Sequence, residues 1–173
     1  MTSTAFFIPL SLVMALTVWS CAVAWYYWPW AQRVSLKDAA TPILLLNAFR
    51  FEGLGFLVPG VVSPDLNHVF AAGAGYGDLA AACFALLALA ALRFGSAVAR
   101  PLLWIFTLVG LLDLVDAYAL GIFYSRPGQI PSFGPELLQS MYSIPTFAAP
   151  LLIVTDVALL LLLLLLRRQG ARG

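Results

Sequence analysis

The chain has 173 residues, 62% of them hydrophobic and only 10% charged, with a formal net charge of +1. Soluble domains carry roughly 25% charged residues, so this composition excludes a water-solvated globule and leaves a bilayer as the main solvent. A nearly neutral chain without a basic tract or an aromatic platform is also no nucleic-acid binder.

A transmembrane helix needs about 20 apolar residues, and the chain has room for five. The first apolar run covers residues 5–31. Ala22-Val23-Ala24 has the small-residue look of a signal-peptide cleavage site, but no Lys or Arg precedes the run. The run also continues into Trp25-Tyr26-Tyr27-Trp28-Pro29-Trp30. Rings of this kind sit at the membrane–water boundary, so the expectation is an uncleaved first span ending in an aromatic belt. A polar link carrying Arg33 and Lys37 leads to a second span at 41–62. A Pro- and Asn-punctuated turn, Ser63 to His68, precedes the alanine-rich third span at 71–92. The fourth span, 101–124, opens with Pro101 in its first turn, where a proline is well placed. Beyond the prolines and glycines of residues 127–135, Glu136 to Tyr142 reads as a short interfacial helix, with Leu137, Leu138, Met141 and Tyr142 on one side, a pattern that burial against the bundle would equally give. The fifth span, 145–166, contains Pro150 and closes in a leucine run.

The expected fold is therefore an all-α integral membrane protein, a five-helix transmembrane bundle forming one polytopic domain. Lys and Arg set its orientation. They fall in the links after spans one and three and in the C-terminal tail (Arg167, Arg168, Arg172), while only Arg126 lies in the other links. That places the N-terminus outside and the C-terminus in the cytoplasm. The abundance of Ala, Leu, Gly and Arg points to a bacterial inner membrane. Cys21 and Cys83 stand alone in apolar spans and read as structural thiols, not a disulfide pair.

Against this background Asn47-Ala-Phe-Arg50-Phe-Glu52-Gly-Leu-Gly55 stands out. A charge at the centre of a span costs on the order of 3 kcal/mol or more, so it persists where a partner or a function holds it. At about 1.5 Å per residue, Arg50, Glu52, Asp113 and Asp116 lie roughly 14, 17, 18 and 22 Å from the cytoplasmic side. Asp78 and Asp156 lie roughly 10 and 15 Å below the outer face on the same count. Six ionisable groups on four helices thus share one level. At 100° per residue Arg50 and Glu52 point apart, with Asn47 on the Arg50 side. Both charges avoid lipid if span two is central, or if its helix opens near Gly53, Gly55 and Pro59. Gly110, Asp113, Ala117 and Gly121 form a small-residue stripe with Asp116 at its edge, and Gly73, Gly77, Ala81 and Ala85 form a matching ridge beside Asp78.

Five carboxylates facing one guanidinium is a costly imbalance in low dielectric, relieved by protons or by a bound cation. The leading functional reading is a polar cavity that binds or conducts a proton, a cation or a small ligand at mid-membrane. Glu52, Asp78, Asp113, Asp116 and Asp156 are its carriers and Arg50 is the counter-charge. Asn47, Tyr76 and Tyr118 extend the network. The alternative is a non-catalytic membrane subunit or assembly factor, working as a homo-oligomer or with a membrane-protein partner, in which the charges only lock the bundle. For an enzyme the chain offers little: the lone His68 beside Asp65 at the outer mouth, and no nucleophile with a placed base. Too few imidazoles and thiolates are present for a transition-metal or haem site, so no cofactor and no metal is expected.

Overall fold

The computed structural model describes residues 6–125 and 134–170, with side chains to residue 167. Arg126, most of the Pro/Gly-rich connection and Arg172 lie outside the described residues. Within them the protein is all-α, with six helices. Helix α1 covers Phe7–Ala31 with one π turn at Val23–Tyr27. Helix α2 covers Leu36–Ala48, α3 His68–Arg93, α4 Ala99–Tyr124, the short α5 Pro135–Leu138, and α6 Ala149–Gly170. A π turn at Ile144–Ala148 leads into α6. Four helices, α1, α3, α4 and the Ile144–Arg167 run, are long and apolar enough to cross a membrane. This is a multi-span helical membrane protein.

The second expected span differs from a plain helix over 41–62. It starts earlier, because Ser35 caps α2 by accepting the Asp38 N–H at 3.2 Å and donating to the Asp38 carboxylate at 2.7 Å, two contacts typical of a helix start. At Phe49 it tightens into a 3₁₀ helix, Phe49–Leu57, and at Val58 the backbone turns extended (φ −91, ψ 120). Two glycines weaken the α-helix here, and Pro59 disfavours helical geometry at the residue before it. The turn closes through Gly60 at φ +84, a conformation that suits glycine.

The segment expected as an interfacial helix also differs. It is split into α5 and a 3₁₀ turn, Gln139–Tyr142. Its apolar side is covered by the bundle: Leu138 and Met141 are buried with Phe56, Val62, Leu66, Phe70, Ala71 and Ala74. Backbone pins it there, the Ser63 N–H donating to the Leu137 carbonyl at 2.9 Å and the Ser140 hydroxyl to the Val61 carbonyl at 2.8 Å.

In lipid, apolar burial gives little drive between helices, so close packing of small residues carries the contact. Ala85 and Ala88 of α3 are fully buried against Leu103 and Phe106 of α4, with Ile43 and Leu44 of α2 and Leu159 and Leu163 of α6 completing that cluster. Arg50 on α2–3₁₀, Asp78 on α3 and Asp113 on α4 fall in sequence between this cluster and other apolar contacts: Phe56, Phe70 and Ala74 on the first two, Leu114 on α4. Helix α1 has no buried residue in its apolar window. It rests on the Ile144–Arg167 run, for instance through Trp19 edge-on to Phe147 at 5.3 Å.

Candidate functional site

Arg50 reaches the interior because the 3₁₀ helix has three residues per turn. Arg50, Gly53 and Phe56, three apart, are its buried residues. Asn47, three before Arg50, is the last buried residue of α2. Glu52 falls off that stripe and is exposed.

The guanidinium is shared by three aspartates from three helices. Its Nε donates to Asp78 Oδ1 of α3 at 2.8 Å and its Nη2 to Asp113 Oδ2 of α4. Nη1 donates to the Gly110 carbonyl at 3.3 Å and stands 3.8 Å from Asp156 Oδ2 of α6, an ionic contact too long for a hydrogen bond. Asn47 Nδ2 donates to Asp156 Oδ1 at 2.8 Å and to the Ile43 carbonyl at 3.1 Å. Two glycines make room for the acids. A Cβ at Gly53 would collide with the Asp78 carboxylate, and a Cβ at Gly77 with that of Asp113.

Burial within the cluster is graded. The Arg50 side chain is 1% exposed and that of Asp156 fully buried, whereas Asp78 and Asp113 each keep 12%. Asp156 Oδ2 and Asn47 Oδ1 are buried without a hydrogen-bond partner. Buried polar atoms are nearly always paired, so such orphans call for an explanation.

Beside the cluster lies a cavity of about 680 Å³, in the size range of small-molecule pockets. Its charged lining is Arg50, Glu52, Asp78, Asp113 and Glu136; the rest is mostly apolar, from α1, α4 and residues 144–152. Tyr118 lines it as well, its hydroxyl donating to the Pro145 carbonyl at 2.7 Å. In the π turn the Ala149 N–H goes to the Ile144 carbonyl. The next donor in that register, for Pro145, would be residue 150, a proline without an N–H. The tyrosine takes over that role.

The structure thus brings together Arg50, Asn47, Asp78, Asp113 and Asp156, with Glu52 and Tyr118 on the cavity wall. It does not bring in Asp116 or Tyr76, which are both exposed. A Cβ built on Gly73 of α3 would lie 3.9 Å from Asp116 Oδ2. Asp65 sits in the turn before α3, its N–H donating to Ser63 Oγ at 3.3 Å, and His68 is the exposed first residue of α3. No hydrogen bond or ion pair joins Asp65 to His68 among the described residues. Glu136 was not anticipated, since nothing in the Gly134-Pro135-Glu136 sequence shows that these three residues line the cavity.

No curated protein and no solved structure matches the chain. A family model does match, over residues 7–164, a stretch that holds the whole Arg50 cluster and the residues lining the cavity. The chain belongs to that family, described as a domain of unknown function, DUF8737.

Proposed function

We propose that the chain is a five-span protein of a bacterial inner membrane, holding a small ligand or a cation in a cavity at mid-membrane depth. Arg50 is the fixed counter-charge; Asp78 and Asp113 form the floor with Asp156 buried behind them, Glu52 stands on the wall, and Asp116 is an outlying acid of the same level. The proton is the smallest occupant that relieves the excess of acid. The observation that carries the reading is one guanidinium shared by three aspartates beside an open cavity of about 680 Å³. A network that only locked helices together would need neither the surplus acids nor the space.

The second span is α2 with its 3₁₀ extension, 13 and 9 residues. Together they reach roughly 37 Å, enough for a hydrocarbon core of about 30 Å. Non-α backbone at such depth is tolerated where it is buried in protein or lines a cavity. The distribution of Lys and Arg supports an outer N-terminus and a cytoplasmic C-terminus, which puts Asp65 and His68 at the outer mouth.

The test is binding of a neutral, environment-sensitive dye such as Nile red to the protein in nanodiscs, above the signal of empty nanodiscs. Ala117→Phe fills part of the cavity and should weaken binding about tenfold, ~1.4 kcal/mol, in a protein that still purifies as a folded species. Unchanged binding by that folded variant contradicts the reading.

A further inference from the structure

We infer that the cavity takes a protonated amine carrying an apolar body. This deepens the ligand-binding reading and rests on it.

The first reason is the hydrogen-bonding character of the floor. Among the described residues Arg50 is the only cation lining the cavity, and its Nε, Nη1 and Nη2 donate to Asp78, the Gly110 carbonyl and Asp113 in a side chain that is 1% exposed. Little of the guanidinium is left open to a guest. Asp78 and Asp113, by contrast, line the cavity and stay partly exposed. Each has a second oxygen, Asp78 Oδ2 and Asp113 Oδ1, that no donor among the described residues reaches. A carboxylate only accepts when ionised. The Tyr118 hydroxyl already donates its hydrogen bond to the Pro145 carbonyl. The floor therefore offers acceptors and asks for donors.

The second reason is charge. Among the described residues every other charged side chain lining the cavity is an acid: Glu52, Asp78, Asp113 and Glu136. Behind them Asp156 is fully buried, its Oδ2 held only by the 3.8 Å ionic contact to Arg50 and without a hydrogen-bond donor, and the neighbouring Asn47 Oδ1 has no donor either. These two atoms are independent of the cavity wall and carry the same message: the cluster lacks positive charge and donors even at its deepest point. An anionic headgroup, carboxylate or phosphate, would meet these acids and find Arg50 engaged. A hydroxyl supplies one donor and no charge. An ammonium supplies three donors and one charge.

The third reason concerns what surrounds the floor. Among the described residues no three His, Cys, Asp or Glu side chains converge on a point where a metal ion would sit. The acids are spread around the guanidinium, and the remaining walls are mostly apolar. Phe56, Phe70, Tyr118 and Phe147 also line the cavity, and aromatic rings attract a desolvated cation. A cationic head with a hydrocarbon body matches both parts of the cavity.

The experiment compares three probes of one chain length, octylammonium, octanol and octanoate. Each is titrated by calorimetry into the protein in phosphatidylcholine nanodiscs, with empty nanodiscs as blank. Octylammonium should bind saturably and about tenfold or more tighter than octanol, the value of one charge-assisted hydrogen bond, with no binding of octanoate. Asp113→Asn should cost the amine about tenfold and leave octanol unchanged. Glu52→Gln, on an exposed side chain outside the Arg50 cluster, gives a second variant that should weaken the amine alone should Asp113→Asn not fold. Octanol or octanoate binding as tightly as the amine overturns the amine class and leaves the ligand-binding reading standing. Failure of all three probes together with Nile red overturns both.

Discussion

Replacing Arg50 by leucine removes the one positive charge on which Asp78, Asp113 and Asp156 converge. Leucine fills part of the same space without any donor, so the loss is chiefly electrostatic. Breaking a buried ion pair from one side costs roughly 3–5 kcal/mol, because the partner stays buried and uncompensated. Here two carboxylates lose a direct hydrogen bond and a third loses its ionic contact. The Gly110 carbonyl loses its Nη1 donor as well, which adds about 1–3 kcal/mol if nothing replaces it. Protonation of the stranded acids limits the damage, so the total should stay near the single-pair range of about 4 kcal/mol and not three times that. Thermal unfolding in a maltoside detergent, followed by tryptophan fluorescence, reads this directly, with size-exclusion chromatography to count aggregates. Arg50→Leu should melt well below wild type and below Asp113→Asn. Adding Asp78→Asn and Asp113→Asn to Arg50→Leu should recover part of the loss, since the charges left behind are then removed. An Arg50→Leu protein that melts with wild type, alone and without rescue by the double amide, would refute the shared centre.

Other residues make separate claims. Gly77→Ala drives a Cβ into the Asp113 carboxylate and should cost roughly 1–3 kcal/mol as overpacking at the α3–α4 contact, seen as a lower melting temperature. Tyr118→Phe removes the donor to the Pro145 carbonyl and should cost about 1 kcal/mol in the same melt. Asn67 caps α3 by accepting the Val69 and Phe70 N–H groups at 2.8 and 3.1 Å, so Asn67→Ala should cost about 1 kcal/mol and speed hydrogen exchange in the first turn of α3. Glu52→Gln, exposed and without a hydrogen bond or ion pair among the described residues, should leave the melt unchanged within about 0.5 kcal/mol. A clear destabilisation there would place Glu52 inside the structural network.

The all-α, multi-span class was legible because apolar length and the scarcity of charge leave few other solutions in a bilayer. The members of the cluster were legible for the complementary reason: Asn47, Arg50, Asp78, Asp113 and Asp156 are conspicuous in runs that tolerate almost nothing polar. Depth counting along each helix placed them at one level, and the cluster unites them. Facing was harder to read. Gly53, Gly55 and Pro59 marked where span two would loosen, but the change to 3₁₀ geometry begins at Phe49. That change sets the three-residue stripe which buries Arg50 and Phe56 and turns Glu52 out. On α4, Asp116 lies about 60° from Asp113, enough to leave it exposed while its neighbour pairs with Arg50. The short helix near residue 138 showed an apolar side, and only tertiary packing decides whether lipid or protein covers it. A polar cavity was expected from the acids, but its size and apolar walls were not legible, since they arise from how α1, α4 and the 144–152 segment are spaced. No single stretch of sequence encodes that spacing.

The central claim is that surplus acid around Arg50 serves an occupied cavity. A density map of the protein in nanodiscs, at a resolution that separates side chains, tests it most directly. The expected result is Arg50 bridging Asp78 and Asp113, with density for a guest or ordered water against those two carboxylates. A cavity closed by side chains, with the aspartates bonded only to the protein, would contradict it.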